Sequence, residues 1–150
     1  MVFLALGTNI GDRQKNLNDA IALINRRIGK IEKMSSFCET KPEGFVSDND
    51  FLNAVISVRT KLSVYQIFKQ TRKIEKILGR KTKSKNENYT DRIIDIDILY
   101  CNNLIISTKE LTLPHPKLHL RAFVVEPLME ICPNWQHLIF GKKKILPELF

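Results

Sequence analysis

Hydrophobic positions along the chain switch between continuous, helix-like and strand-like spacing in a regular order. Residues 2–6 are an unbroken apolar run, which predicts a short buried strand. The run ends in the turn-rich stretch Gly7-Thr8-Asn9-Ile10-Gly11-Asp12. Leu17, Ala20, Ile21, Ile24 and Ile28 then recur at helical spacing and predict a helix over 13–27. Residues 30–39 read as a strand. Residues 40–49 hold Pro42, Gly44 and several polar side chains, and read as a loop long enough to carry function. Over 51–60 a strand is predicted, with Leu52, Ala54, Ile56 and Val58 on one face. Ser63 is a candidate N-cap for a second helix. The apolar face of that helix is Val64, Ile67, Phe68, Thr71, Ile74, Ile77 and Leu78, and Gly79 fits the position just past its end. A polar, basic loop follows over 80–91, and then an apolar strand over 92–100. A hairpin through Cys101-Asn102-Asn103 to 104–107 is expected next. Both prolines of Leu113-Pro114-His115-Pro116 exclude a helix interior there. A third helix is predicted over 122–131, with Pro127 close enough to its start to be tolerated. The remainder is short and polar, with a basic cluster at Lys142, Lys143 and Lys144.

The order is β-α-β-β-α-β, the split βαβ or ferredoxin-like pattern of an α+β fold. It predicts an antiparallel sheet with both helices packed on one face. The other face is left open for a site between the 40–49 and 80–91 loops. No repeat or linker divides the chain, so residues 1–150 are expected to form a single domain. With 43% hydrophobic and 27% charged residues the chain has the composition of a folded domain. Its net charge of +8 fits an anionic partner, whether nucleic acid, nucleotide or membrane surface, although solubility alone is an equally good reason for such a charge. The 3 cysteines, Cys38, Cys101 and Cys132, are odd in number and lack metal-ligand spacing, as ordinary thiols in a reducing compartment would. The apolar run at 2–6 is too short for a secretory signal, and no segment approaches the about 20 apolar residues of a membrane span. A cytoplasmic location is therefore expected.

Chemistry enters at Asp95-Ile96-Asp97. Side chains alternate faces along a strand, so the two aspartates point the same way, about 6.5 Å apart. Ile94, Ile96, Ile98 and Tyr100 are expected on the opposite face. Two carboxylates on a buried strand repel each other and lose hydration unless a positive group lies between them. A divalent cation meets that need, and Mg²⁺ takes one or two carboxylates together with water and phosphate oxygens. The plain alternative is an exposed edge whose carboxylates pair with lysines, but the flanking isoleucines bury this strand.

Lys69, Arg72, Lys73, Lys76, Arg80, Lys81, Lys83, Lys85 and Arg92 crowd positions 69–92. Those on the second helix have the spacing of an exposed stripe. Arg80 and Arg92 bracket the loop and are better phosphate ligands, since a planar guanidinium binds two oxygens at once. No glycine-rich phosphate loop is present. His115, held between prolines, is aimed at small entropic cost and is either a phosphate contact or a plain turn residue. Phe51 and Phe123 taken singly fit a core, yet Asn53 shares a strand face with Phe51. An aromatic plate beside an amide suits a flat heterocycle.

Four stretches then align with one family. Gly7-Thr8-Asn9-Ile10-Gly11-Asp12 resembles its G-S-N-L-G-D, and Phe51-Leu52-Asn53-Ala54 its [YF]-L-N-A. Arg92-Ile93-Ile94-Asp95-Ile96-Asp97-Ile98-Leu99 resembles its R-x-[IL]-D-[IL]-D-[IL]-[IL]. Leu113-Pro114-His115-Pro116 through Arg121-Ala122-Phe123 resembles its [LV]-P-H-P…R-x-F. The family is 6-hydroxymethyl-7,8-dihydropterin pyrophosphokinase, of folate biosynthesis. Each motif alone is weak; the ordered set is specific and spans the chain from Gly7 to Phe123.

The resemblance implies a ferredoxin-like monomer that transfers pyrophosphate from ATP to the hydroxymethyl group of a reduced pterin, releasing AMP. It implies two Mg²⁺ ions on Asp95 and Asp97. It also implies a pterin held between Phe51 and Phe123, with Asn53 and Thr40 on its edge. ATP contacts are implied for Arg80, Arg92, His115 and Arg121, with Glu75 near them, and Arg80 and Arg92 count as catalytic beside the aspartates. Both partners are small molecules, with neither nucleic acid nor membrane expected. Three features depart from the family pattern: the 80–91 loop is about two residues longer, Tyr89 stands where a Trp is usual, and Asn88 and lysines replace some arginines. From the residues alone, two rivals remain. One is a basic nucleic-acid-binding module on a ferredoxin-like sheet. The other is a metal-dependent nuclease using the same aspartates.

Overall fold

Strand β1 (Val2–Thr8) alternates its side chains between the two faces of a central position in the sheet. Val2, Leu4, Leu6 and Thr8 are buried on one face, while Phe3, Ala5 and Gly7 look to the other. The computed structural model describes residues 1–81 and 89–136. Lys83, Lys85 and Asn88 of the basic loop, and the cluster Lys142, Lys143 and Lys144, lie outside the described residues.

Helix α1 (Arg13–Arg27) starts at Asp12, whose carboxylate accepts from the Lys15 amide at 3.0 Å. Strands β2 (Lys30–Met34) and β3 (Cys38–Thr40) replace the single strand expected over 30–39. The break has a physical cause. Ser35 turns inward, and its Oγ accepts from the Val55 amide at 3.0 Å while the Val55 carbonyl accepts from Ser35 N at 2.9 Å. Both pieces pair with β4 (Phe51–Arg59). Helix α2 (Val64–Ile77) opens at Ser63, the predicted N-cap, which forms a capping box with Gln66. Ile77 departs from expectation: it is 51% exposed, and Leu78 continues the packed face instead.

Strand β5 (Asp95–Cys101) completes a 5-stranded sheet in the order β2-β4-β1-β5, with β3 beside β4. All pairings are antiparallel, the ferredoxin-like arrangement. The strand is shorter than predicted, because Arg92 to Ile94 precede the pairing. It also carries a register shift, with Phe3 opposite Tyr100 but Leu4 opposite Ile98. The extra residue, Leu99, flips the alternation. Tyr100 therefore lies on the aspartate side, stacked on Phe3 at 4.4 Å, and not beside Ile98 as expected.

The expected hairpin from β5 to 104–107 does not form. Strand β6 (Ile106–Ser107) pairs instead with β7 (Thr112–Leu113). Asn102, with φ 48°, and the Leu104-to-Cys101 turn direct the chain away from β5. Helix α3 (Ala122–Ile131) carries Pro127 in its interior. Proline has no N–H, so the Phe123 carbonyl has no i+4 donor.

Two cores sandwich the sheet. Helices α1 and α2 cover one face over Leu4, Leu6, Ile56, Ile96 and Ile98. Each such fully buried aliphatic contributes about 1.5–3 kcal/mol. The other face is not open throughout: α3 covers half of it, burying Val55, Leu99, Tyr100, Val124 and Leu128. The uncovered half is where the site lies.

Candidate active site

Register builds the floor of the site. Asp95, Gly7 and Asn53 face one another across β5, β1 and β4, and Asp97 pairs with Ala5 in the next row. Small residues on the central strand leave a hollow between the carboxylates and the amide. A Cβ on Gly7 would come within 3.1 Å of Asn53 Oδ1 and 3.7 Å of the Phe51 ring. Asn53 is buried and donates from Nδ2 to Thr40 Oγ1 at 2.8 Å. Phe51, Asn53, Thr40, Phe123, Arg92, Arg121, Asp95, Asp97, His115 and Tyr89 all line this cavity. A second cavity opens on the far side of Asp97 and His115, walled by Phe68, Ile98, Leu111, Thr112 and Arg72.

The end of α2 sets Arg80. Gly79, at φ 101°, turns the chain. Its amide donates to Lys76 O at 3.1 Å and that of Arg80 to Glu75 O at 3.0 Å, the two bonds of a Schellman cap. The cap folds Arg80 back over its own helix. Arg80 Nη1 donates to Asp95 Oδ1, to Glu75 Oε1 at 3.0 Å and to Ile94 O at 3.2 Å, with the side chain 5% exposed. Burial disfavours the guanidinium charge, but Asp95, Glu75 and Asp97 outweigh it and raise the Arg80 pKa. Glu75 is itself buried. It also accepts from the Ile96 amide at 2.8 Å and from Arg72 at 2.9 Å, tying α2 to the start of β5.

Arg92 Nε lies 3.5 Å from Asp95 Oδ2, and its guanidinium lies over the Phe51 ring at 5.0 Å. Arg121 lies over Phe123 at 5.6 Å. Both also flank Tyr89, whose hydroxyl accepts from Lys117 at 3.1 Å and Arg121 at 3.2 Å. Tyr89 thus collects cations on its face and its edge. The His115 amide donates to Leu99 O at 2.7 Å, fixing the His-Pro turn to β5. Its Nδ1 accepts from Lys117 N at 3.2 Å, which leaves Nε2 directed at Asp97 Oδ2, 3.9 Å away.

Thr40, Phe51, Asn53, Arg92, Asp95, Asp97, His115, Arg121 and Phe123 line the first cavity, Arg80 holds Asp95 from behind, and Glu75 lies beneath the surface. Sequence reasoning missed Lys117, Asn49 and Asp91, and found no role for Asn9 within its motif. Asn9, only 2% exposed, donates from Nδ2 to Asp91 Oδ1 at 2.7 Å. Asn49 donates to the other Asp91 oxygen at 2.8 Å. The only available signals were the position of Asn9 in the opening turn and of Asp91 just before Arg92.

Asp95 and Asp97 offer hard oxygen donors, 18% and 23% exposed, toward the cavity. Among the described residues no group of three or more His, Cys, Asp or Glu side chains converges. Such a donor set fits Mg²⁺, which takes its remaining ligands from water and phosphate.

A family model described as 7,8-dihydro-6-hydroxymethylpterin-pyrophosphokinase matches residues 3–133. The 2-amino-4-hydroxy-6-hydroxymethyldihydropteridine pyrophosphokinase of Porphyromonas gingivalis is 43% identical over 138 residues, 91% of this chain and 93% of that protein. The Aquifex aeolicus protein of the same name is 41% identical over 149 residues, 98% of this chain and 91% of that one. A solved Plasmodium falciparum HPPK-DHPS structure aligns with TM-score 0.74 at 15% identity, a likeness of fold. That match covers 93% of this chain and 42% of the larger one. The chain belongs to the 7,8-dihydro-6-hydroxymethylpterin-pyrophosphokinase family, whose members transfer pyrophosphate from ATP to hydroxymethyldihydropterin in folate biosynthesis.

Proposed function

We propose that the cavity between Phe51 and Phe123 takes 6-hydroxymethyl-7,8-dihydropterin, that the second cavity takes ATP, and that pyrophosphate crosses between them. One observation carries this reading: Asp97 and His115 line both cavities, so the reacting atoms meet there. The pterin hydroxymethyl oxygen bonds to the β-phosphorus as its proton passes to water, the bond from that phosphorus to the α–β bridging oxygen breaks, and AMP leaves. Catalysis of such a transfer is mostly positioning and charge stabilisation.

Asn53 and Thr40 hold the pterin edge, and the two phenyl rings hold its faces. Pterin stacking on Phe51 moves the Arg92 guanidinium off that ring and toward the phosphates. Arg92, Arg121 and His115 then neutralise charge on the pyrophosphate. Arg80 stays with Asp95 and Glu75 as a buried counter-charge, so Glu75 acts on ATP through the arginines. Asp95 and Asp97 would hold two Mg²⁺ ions, whose chemistry there would be Lewis-acid stabilisation of the phosphate oxygens. Among the described residues β1 to β5 share one sheet, which supports the reading of a single domain. No helix among the described residues is long and apolar enough to cross a membrane. A cytoplasmic monomer is the reading that accords with free cysteines and with the family resemblance.

The test is an AMP-release assay with ATP, Mg²⁺ and the pterin alcohol, run beside RNA filter binding. AMP release that requires all three components is expected. Retention of RNA without pterin-dependent AMP release overturns the reading.

A further inference from the structure

The two loops that flank the site meet at a single carboxylate. Asp91 accepts from Asn9 at 2.7 Å on one oxygen and from Asn49 at 2.8 Å on the other, and Ser47 also hydrogen-bonds to it. Ser47 and Asn49 belong to the 40–49 loop, and Asp91 ends the 80–91 loop. Asn9 comes from the turn after β1. Its side chain also donates to Asn49 O at 3.2 Å. Asn9 further takes both backbone polar groups of Arg92: Asn9 Oδ1 accepts from Arg92 N at 2.7 Å, and Asn9 N donates to Arg92 O at 3.1 Å.

We infer that Asp91, clamped by Asn9 and Asn49, is a positioning residue that joins the pterin-side loop to the base of Arg92 and thereby aims its guanidinium. The inference rests on the role proposed above for Arg92. Arg92 has a long side chain, and its reach into the site depends on where its backbone is held. Asn9 holds that backbone, and Asp91 holds Asn9 in the orientation that does so. A carboxylate suits the task because both its oxygens accept. The amide introduced by Asp91→Asn would set a donor against a donor at Asn9 or at Asn49. The clamp also fits the burial of Asn9: its amide satisfies three polar groups on two other segments at once.

The test is a double-mutant cycle on kcat between Asp91→Asn and Arg92→Ala. Asp91→Asn in the wild-type background should lower kcat by about tenfold, the scale of a misplaced catalytic group. In the Arg92→Ala background the same change should cost less than about twofold, since nothing remains to be aimed. Equal penalties in both backgrounds, or no penalty in either, overturn the inference. If Arg92→Ala itself leaves kcat unchanged, the role of Arg92 fails and the clamp falls with it. That outcome is distinct from additivity with an active Arg92. Should Asp91→Asn fail to fold, Asn49→Ala removes one donor from an exposed position and carries the same cycle, with a smaller loss expected.

Discussion

Asp95 and Asp97 were both legible as neighbours on one strand face, yet the structure gives them different company. Asp95 is held by Arg80 and Arg92, whereas Asp97 looks toward His115. Either Asp95→Ala or Asp97→Ala should cut turnover to less than about a tenth, because the proposed Mg²⁺ site would lose a ligand. The two variants should differ in stability. Asp95→Ala removes a carboxylate partner from the buried Arg80, and breaking such a pair is costly. Its melting temperature should fall further than that of Asp97→Ala. Equal melting temperatures would remove the structural role of the Arg80–Asp95 pair. Proximity of Asp95 to Arg80 could not be read from the chain, because they are brought together by a helix cap. Lys117 was invisible for a similar reason: only the fold carries it to the Tyr89 hydroxyl.

At the scale of elements, the helices were the most legible. Their apolar spacing, the Asp12 and Ser63 caps and Gly79 all agree, and local signals of that kind need no distant partner. Gly79→Ala tests how far such a signal reaches into the site. Ala at φ 101° costs about 1–2 kcal/mol, to be read by denaturant unfolding. Activity should fall as well, because the same cap folds Arg80 over Glu75. Lost stability with unchanged kcat would show that Arg80 is set by Asp95 alone. Strands were less legible. The break at Ser35, the extra Leu99 and the pairing of β6 with β7 each depend on which strand lies alongside, and periodicity along one strand does not contain that choice.

At the scale of the molecule, the clamp at Asp91 links the acid limit of stability to the site. Hydrogen bonds from Ser47, and less so from Asn49 and Asn9, hold the Asp91 pKa below the ordinary aspartate value. A depressed carboxylate stabilises the fold fully above its unfolded pKa of about 3.9, and loses that contribution as pH falls through its folded pKa. The melting-temperature gap between the wild type and Asp91→Asn should therefore be wide at neutral pH and close below about pH 4. A gap that does not change with pH would mean that the Asp91 charge adds nothing to the clamp. The second core is the other feature of this scale. A sheet with helices on one face was expected, but α3 returns to cover half the opposite face and so bounds the site.

The sequence by itself determined the helices, the order of elements, the paired carboxylates and the family motifs. These are local patterns, carried by residues close together in the chain. Tertiary structure decided what lies between the motifs. Register placed Gly7 between Asp95 and Asn53 as an empty floor, and one extra residue in β5 moved Tyr100 into the α3 core on the aspartate side. The turn after β1 met the ends of two distant loops at Asp91. Those outcomes depend on contacts between residues such as Asn9 and Asp91, far apart in the chain, and the energy of such contacts exists only once the sheet has brought them together.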